Sequence, residues 1–188
     1  MADEQQIIEG CRDGRRDIQE QLYKTYYSLF LKICARYAKD MMDAEQLLND
    51  GFMKIFGQIG QYKGEGSFEG WMKRIIINTC LDYLKSKYLK TSEMVHNNSE
   101  ALLNVEIDSS SNVLANLAFR DLVKIIQTLP AITRTVFNMH VFESFAHKQI
   151  AAHLHISEGT SQWHLHQARA LLQQKIKSMN TVKRQYHE

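Results

Sequence analysis

His147–Leu172, HKQIAAHLHISEGTSQWHLHQARALL, reads as two short helices joined by a tight turn, and it decides the fold of the second half of the chain. Ile150, Ala151 and Leu154 share one stripe at helical spacing, and Ala151 is small enough for a second helix to cross closely. Ser157 supplies an N-cap hydroxyl, after which Ser161, Leu165, Ala168 and Leu172 form the buried stripe of the next helix. The other face of that helix carries Gln162, Trp163, His164, His166, Gln167 and Arg169. A solvated face ordinarily carries Glu and Lys. Amides, imidazoles and an indole are groups that reach base edges and phosphates in a major groove. Helix, turn, helix is also an ordinary way to close an all-helical core, so the rest of the chain carries the decision.

With 188 residues, 44% hydrophobic and 23% charged, the chain has the balance of one or two globular domains. No run approaches the length of a membrane span, and the acidic, polar start MADEQQIIEGCRDGRR is unlike a signal peptide, which points to the cytoplasm. Cys11, Cys34 and Cys80 are far apart and form no CxxC pair, so they read as reduced thiols. Pro130 is the only proline, and no strand alternation is present, so the fold class is all-α. Net charge is only +2, but its distribution is uneven. Residues 61–90 hold six Lys and Arg against three Asp and Glu, residues 91–119 none against four, and residues 120–188 nine against four. Two basic blocks thus flank an acidic one, and seven of the eight histidines lie in the last.

Ile7, Ile8 and Cys11 suggest a short helix ending near Gly14, and Ile18–Ala38 a long one with Leu22, Tyr26, Leu29, Ile33 and Tyr37 on one side. A third helix begins near Asp43, with Leu47, Leu48, Met53, Ile55 and Phe56 toward a core and an acidic face of Asp43, Glu45 and Asp50 beside Gln46 and Asn49. Gly60, Gly64 and Gly66 then mark a loop. A fourth helix covers Phe68–Lys87, flanked by Lys73, Arg74, Lys85 and Lys87. From Tyr88 to about Asn112 the chain turns polar and acidic and reads as a flexible linker. Val113–Leu129 is amphipathic, and Pro130 is expected at the first position of the helix that follows. Two small helical domains, 1–89 and 113–188, joined by a linker over 90–112, are the expected organisation.

Taken together, DAEQLLNDGFMKIF, FEGWMKRIIINTCLDYL and LPAITRTVFNMHVFESFAHKQIAAHLHISEGTSQWHLHQARALL resemble the sigma-70 family of bacterial RNA polymerase sigma factors, in its extracytoplasmic-function branch. The first two pieces are similar to the family's second conserved region and the last to its fourth, in the right order and spacing. The resemblance implies a subunit that binds core polymerase, captures the minus-10 promoter element and reads the minus-35 element. It assigns Gln46, Asn49, Asp50 and Phe52 to the clamp helices of the largest polymerase subunit. It assigns Asn78 to an unstacked base, with Lys63, Lys73, Arg74 and Lys85 on the backbone of the minus-10 strand. Physically, a flipped base needs amide or backbone hydrogen bonds and an apolar wall, with cations nearby for phosphate; Trp71 is expected to hold loop against helix. Ser157, Thr160, Gln162, Trp163, His164, Gln167 and Arg169 are assigned to the minus-35 element. The second-largest subunit's flap and an anti-sigma factor are further implied partners, with no membrane insertion.

The chain also departs from the family pattern. Gln162, His164 and Gln167 stand where Lys or Arg is usual, and Ser161 where a β-branched apolar residue is common. His155 replaces the turn glycine, which would place a non-glycine residue in a left-handed conformation. Weak, salt-sensitive autonomous DNA binding is the expected consequence. An enzyme is disfavoured by the absence of a phosphate-cradling glycine loop, nucleophile elbow or paired carboxylates, and no cofactor is expected. His153 with His155, and His164 with His166, are two residues apart, whereas helical metal pairs stand three or four apart, so no metal is expected either. The competing readings are a helix-turn-helix regulator with an N-terminal sensing or dimerisation domain, and an adaptor that keeps the fold without touching DNA.

Overall fold

The computed structural model describes residues 4–91 and 113–185. These residues form α1 (Glu4–Arg12), α2 (Arg16–Tyr37), α3 (Met41–Gln58), a 3-10 turn (Ile59–Gln61), α4 (Phe68–Thr91), α5 (Val113–Gln127), α6 (Ala131–Val141), α7 (His147–Leu154) and α8 (Glu158–Gln185), with no strand among them. The chain divides into two compact units between residues 111 and 112, and the all-α expectation holds in each. The linker expected over 90–112 lies outside the described residues, apart from its first two, which complete α4.

In the first unit α2, α3 and α4 pack pairwise on one another, and α1 lies against α2 and the 3-10 turn. Asp40 starts α3 as an N-cap, its Oδ1 accepting from the Asp43 amide at 2.8 Å. Leu22, Phe30, Leu31, Leu48, Ile55, Met72 and Ile76 are fully buried between the three helices, each such burial being worth about 1.5–3 kcal/mol. The crossing of α3 and α4 is close because of Gly51: a Cβ there would overlap Ile76 Cδ1. Cys11, Cys34 and Cys80 are buried thiols, Cys80 Sγ donating to Cys34 Sγ at 3.9 Å. Met53, expected to face this core, instead stands 71% exposed. It lies seven residues after Gln46 and three after Asp50, which is the phase of the polar face and not that of Leu48 and Ile55.

In the second unit α5, α6 and α7 all pack on α8. Val123, Ile126, Leu129, Val136, Met139, Ile150, Leu165 and Ala168 form its core. Pro130 is the N-cap of α6 and not its first helical residue, with φ −52 and ψ 143; its extended backbone leaves the helix to begin at Ala131, and its fixed φ serves both positions. α7 ends on His155 at φ 54, ψ 44, the left-handed conformation expected from the missing glycine. The His155 amide and the Ile156 amide both turn back to Ala151 O, which closes the helix end and sets the turn. Ser157 then caps α8, its Oγ accepting from the Thr160 amide at 2.9 Å.

Candidate functional site

Three exposed polar faces stand on this scaffold, two on the first unit and one on the second. The first is built by α3. Ala44, Leu47, Leu48, Gly51, Phe52 and Ile55 are its buried stripe, which leaves Gln46, Asn49 and Asp50 exposed on the far side. Gln46 donates to Asp50 Oδ1 at 2.8 Å, one turn on, and Tyr23 of α2 donates to Asn49 Oδ1 at 2.9 Å. A shallow groove of about 540 Å³ opens beside this face, its lining including Asp43, Leu47, Asp50, Met53 and Asp82. Tyr83 donates to Asp43 Oδ2, and Lys54 pairs with Asp82 at 3.2 Å, so α4 braces the groove's other side. The face therefore combines carboxylates and amides with an exposed thioether, which suits a basic, amphipathic partner surface.

Phe52 does not belong to that face. It is 2% exposed and sits in an aromatic cluster, 4.6 Å from Tyr23, 5.8 Å from Phe30 and 5.9 Å from Phe56 by ring centroid. The physical reason is helical phase: Phe52 stands four residues after Leu48 and three before Ile55, on the buried stripe. Phe52 packs α3 against α2 from behind the exposed face.

The second face joins the loop 62–67 to α4. Tyr62 is buried against Phe68 and Trp71, at 5.2 and 5.4 Å, and donates its hydroxyl to Gly66 O at 2.8 Å. Arg12 reaches from α1 to Tyr62 O at 2.6 Å, so the loop is pinned from both ends. Gly64 and Gly66 take φ +78 and +82, conformations that a side chain would strain. Just before them the loop projects Lys63 into solvent, and Glu65 stands exposed between them. Trp71 is half-buried and holds the loop to the helix, as expected from the sequence. Along α4, Arg74, Asn78 and Lys85 are exposed and share one stripe, since positions four and eleven residues apart recur within about 40° on a helix. Lys73 is half-buried at the edge of this stripe. The arrangement presents one amide among cations beside an ordered, glycine-bearing loop.

The third face is the outer side of α8. Ser161, Leu165 and Ala168 are buried, whereas Gln162, Trp163, His166 and Arg169 are exposed and Gln167 half-exposed. Ser157 is exposed and Thr160 half-exposed at the helix start, their hydroxyls 2.8 Å apart. His164, expected on the outer face, is turned inward. It is 9% exposed, and its Nδ1 shares a hydrogen bond of 3.0 Å with Thr133 Oγ1 of α6. Residue 164 stands three after Ser161 and four before Ala168, so its phase is that of the core, and α6 closes over it. A second imidazole ties α7 to the same helix: His147 Nδ1 meets Ser161 Oγ at 2.9 Å while its ring stacks on His140 at 4.5 Å. Burial pushes both the His164 and the His147 pKa below the ordinary imidazole value, and His140 adds to the depression at His147. Sequence reasoning missed Met53 as a surface group and Thr133 as the partner of His164; strict helical phase would have found the first, but the second depends on how α6 packs.

Among the described residues no helix is long and apolar enough to cross a membrane, and no three His, Cys, Asp or Glu side chains cluster as a metal site. The Sigma-70 region 2 family model matches residues 22–88, and the Sigma-70, region 4 model matches residues 119–172. The chain is 23% identical over 184 residues to the RNA polymerase sigma-H factor of Pseudomonas aeruginosa, covering 94% of this chain and 95% of that protein. It is 22% identical over 183 residues to the ECF RNA polymerase sigma-E factor of Haemophilus influenzae, covering 94% and 96%. Its fold is shared with the sigma factor RpoE from Bartonella quintana, solved in complex with the anti-sigma factor NepR, at a TM-score of 0.53 and 19% identity, covering 84% of this chain and 98% of that one. The two family models lie in order, one on each unit, and together span more than half of the chain, so the chain belongs to the sigma-70 family of RNA polymerase sigma factors, in its extracytoplasmic-function branch.

Proposed function

We propose that the three polar faces are the working surfaces of this sigma factor, one for core polymerase and two for promoter DNA. The protein directs promoter-specific transcription initiation by binding rather than by covalent chemistry, and it works in the cytoplasm. The observation that carries the assignment is the coincidence of the two family matches with the units that bear these faces. Gln46, Asn49 and Asp50 dock on the clamp helices of the largest subunit, with Phe52 holding α3 from behind. Asn78 and the loop 62–67 receive an unstacked base of the minus-10 element, while Lys63, Lys73, Arg74 and Lys85 neutralise its phosphates. α8 enters the major groove of the minus-35 element through Gln162, Trp163 and Gln167, with Ser157, Thr160 and Arg169 on the flanking backbone. The second unit also meets the flap of the second-largest subunit.

The domain limits follow as 1–89 and 113–188, with 90–112 as the tether between them. Recognition by α8 is weak by itself and effective only when polymerase delivers it, because few cations reach phosphate along its first three turns. Bartonella RpoE was solved with an anti-sigma factor, and a partner of that kind sequesters this chain by covering the same faces. Reconstitution with core polymerase tests the assignment. The full chain should permit initiation from a selected promoter, and Asn49→Ala with Asp50→Ala should weaken core binding at least tenfold while leaving the helix content unchanged. No binding of the unaltered chain to core at micromolar concentration would remove the reading.

A further inference from the structure

Trp163 is 58% exposed in the second turn of α8, where most neighbours on the outer face are hydrogen-bonding groups. The next exposed large apolar side chain described along α8 is Ile176, more than three turns on, so Trp163 stands apart from other exposed apolar groups along this helix. Its orientation is fixed from below. The indole meets the His164 ring edge to face at 4.9 Å, and His164 is itself buried and hydrogen-bonded to Thr133. The indole is therefore presented on a braced support.

Gln162 precedes it, with His166 one turn and Arg169 two turns further along the same exposed stripe. From Glu158 to Ala168 there is no Lys or Arg. Those side chains are the commonest readers of guanine O6 and N7, whereas a Gln amide matches the donor and acceptor pair of adenine N6 and N7, and an apolar ring fits the thymine C5-methyl. The residues of a recognition helix that touch bases are the N-terminal ones, which here are Gln162 and Trp163, while Arg169 lies far enough along to meet phosphate.

We infer that α8 reads an A·T-rich upstream element, with Gln162 on an adenine edge and Trp163 packed on a thymine methyl group. This rests on the proposed DNA-reading role of α8 and goes beyond it by naming the base chemistry. Two measurements test it with the full chain bound to core polymerase. The first is selection from duplexes randomised over the upstream element with a fixed downstream element, using core polymerase alone as control. The selected element should hold adjoining A·T pairs, and Gln162→Arg should move one position toward guanine. The second replaces every thymine of the selected element with deoxyuridine, which removes methyl groups and leaves the protein untouched. The loss should be about fourfold for each contacted methyl with the unaltered chain, as expected for one buried carbon. It should disappear with Trp163→Ala and persist with Trp163→Phe. A guanine-rich selected element, or an equal deoxyuridine effect in Trp163→Ala and the unaltered chain, overturns the inference but leaves the sigma assignment standing. No enrichment over core polymerase alone would overturn both.

Discussion

Replacing Phe52 separates packing from contact on α3. The ring is fully buried among Tyr23, Phe30 and Phe56, so Phe52→Ala should cost the first unit about 3–5 kcal/mol through lost transfer energy and the cavity left behind. Phe52→Leu keeps most of the apolar volume and forfeits the three ring contacts, each worth roughly 0.5–1.5 kcal/mol. For a unit of this size each kcal/mol lowers the thermal midpoint by about 4–8 °C, so the alanine variant should melt at least about 12 °C lower. Trp71 lies in the first unit and Trp163 in the second, so a Trp163→Phe background makes Trp71 fluorescence a reporter of the first unit alone. Core binding should then follow the folded fraction only. At a temperature where Phe52→Leu is fully folded, its dissociation constant from core polymerase should match that of the unaltered chain. Asp50→Ala should show the converse, with stability changed by less than about 0.5 kcal/mol and affinity reduced. If fully folded Phe52→Leu lost core affinity as severely as Asp50→Ala, the ring would have to touch the polymerase, and the reasoning from burial would fail.

Acid should loosen the second unit. His147 and His164 have lowered folded pKa values, so the unfolded chain takes up protons first as pH falls below about 6.5. Stability is therefore complete above that value and lost as pH drops through the folded pKa values. Trp163 fluorescence in a Trp71→Phe background should show the melting point falling between pH 7.5 and 5.5, and His147→Gln with His164→Gln should flatten that slope. An undiminished slope in the double variant would place the effect elsewhere. His155→Gly should relieve the left-handed backbone at the turn and raise the melting point of the second unit, the strain removed being about 1 kcal/mol. A lower melting point would show that the imidazole contributes more there than its backbone costs.

Much of the fold was legible in the chain because helices and their ends are local phenomena. One proline, the glycine loop at 60–66 and the apolar stripes placed most helices to within a few residues, but α8, read as a short helix within His147–Leu172, runs on to Gln185. Ser157 as a cap and His155 in the left-handed region were readable because each concerns one residue and its immediate neighbours. The acidic face of α3 and the exposed stripe of α4 were readable for the same reason, since carboxylates, amides and cations avoid burial wherever the helix lies. Pro130 was misplaced by one position, which is the precision that local rules allow at a helix end.

The residues misread are those for which chemistry permits either side of a helix. Phenylalanine, methionine and neutral histidine all tolerate partial burial, so their side is fixed by whichever helix closes over them. α2 brings Tyr23 and Phe30 against Phe52 and covers it, whereas among the described residues Met53 stays exposed. α6 brings Thr133 over His164 and turns a candidate base reader into an internal brace. Local rules in the chain were enough for most helices and for the turn chemistry. The outward Trp163 was readable from the chain, but the inward turn of His164 was settled by packing, because it depends on a hydroxyl thirty-one residues away meeting a ring nitrogen.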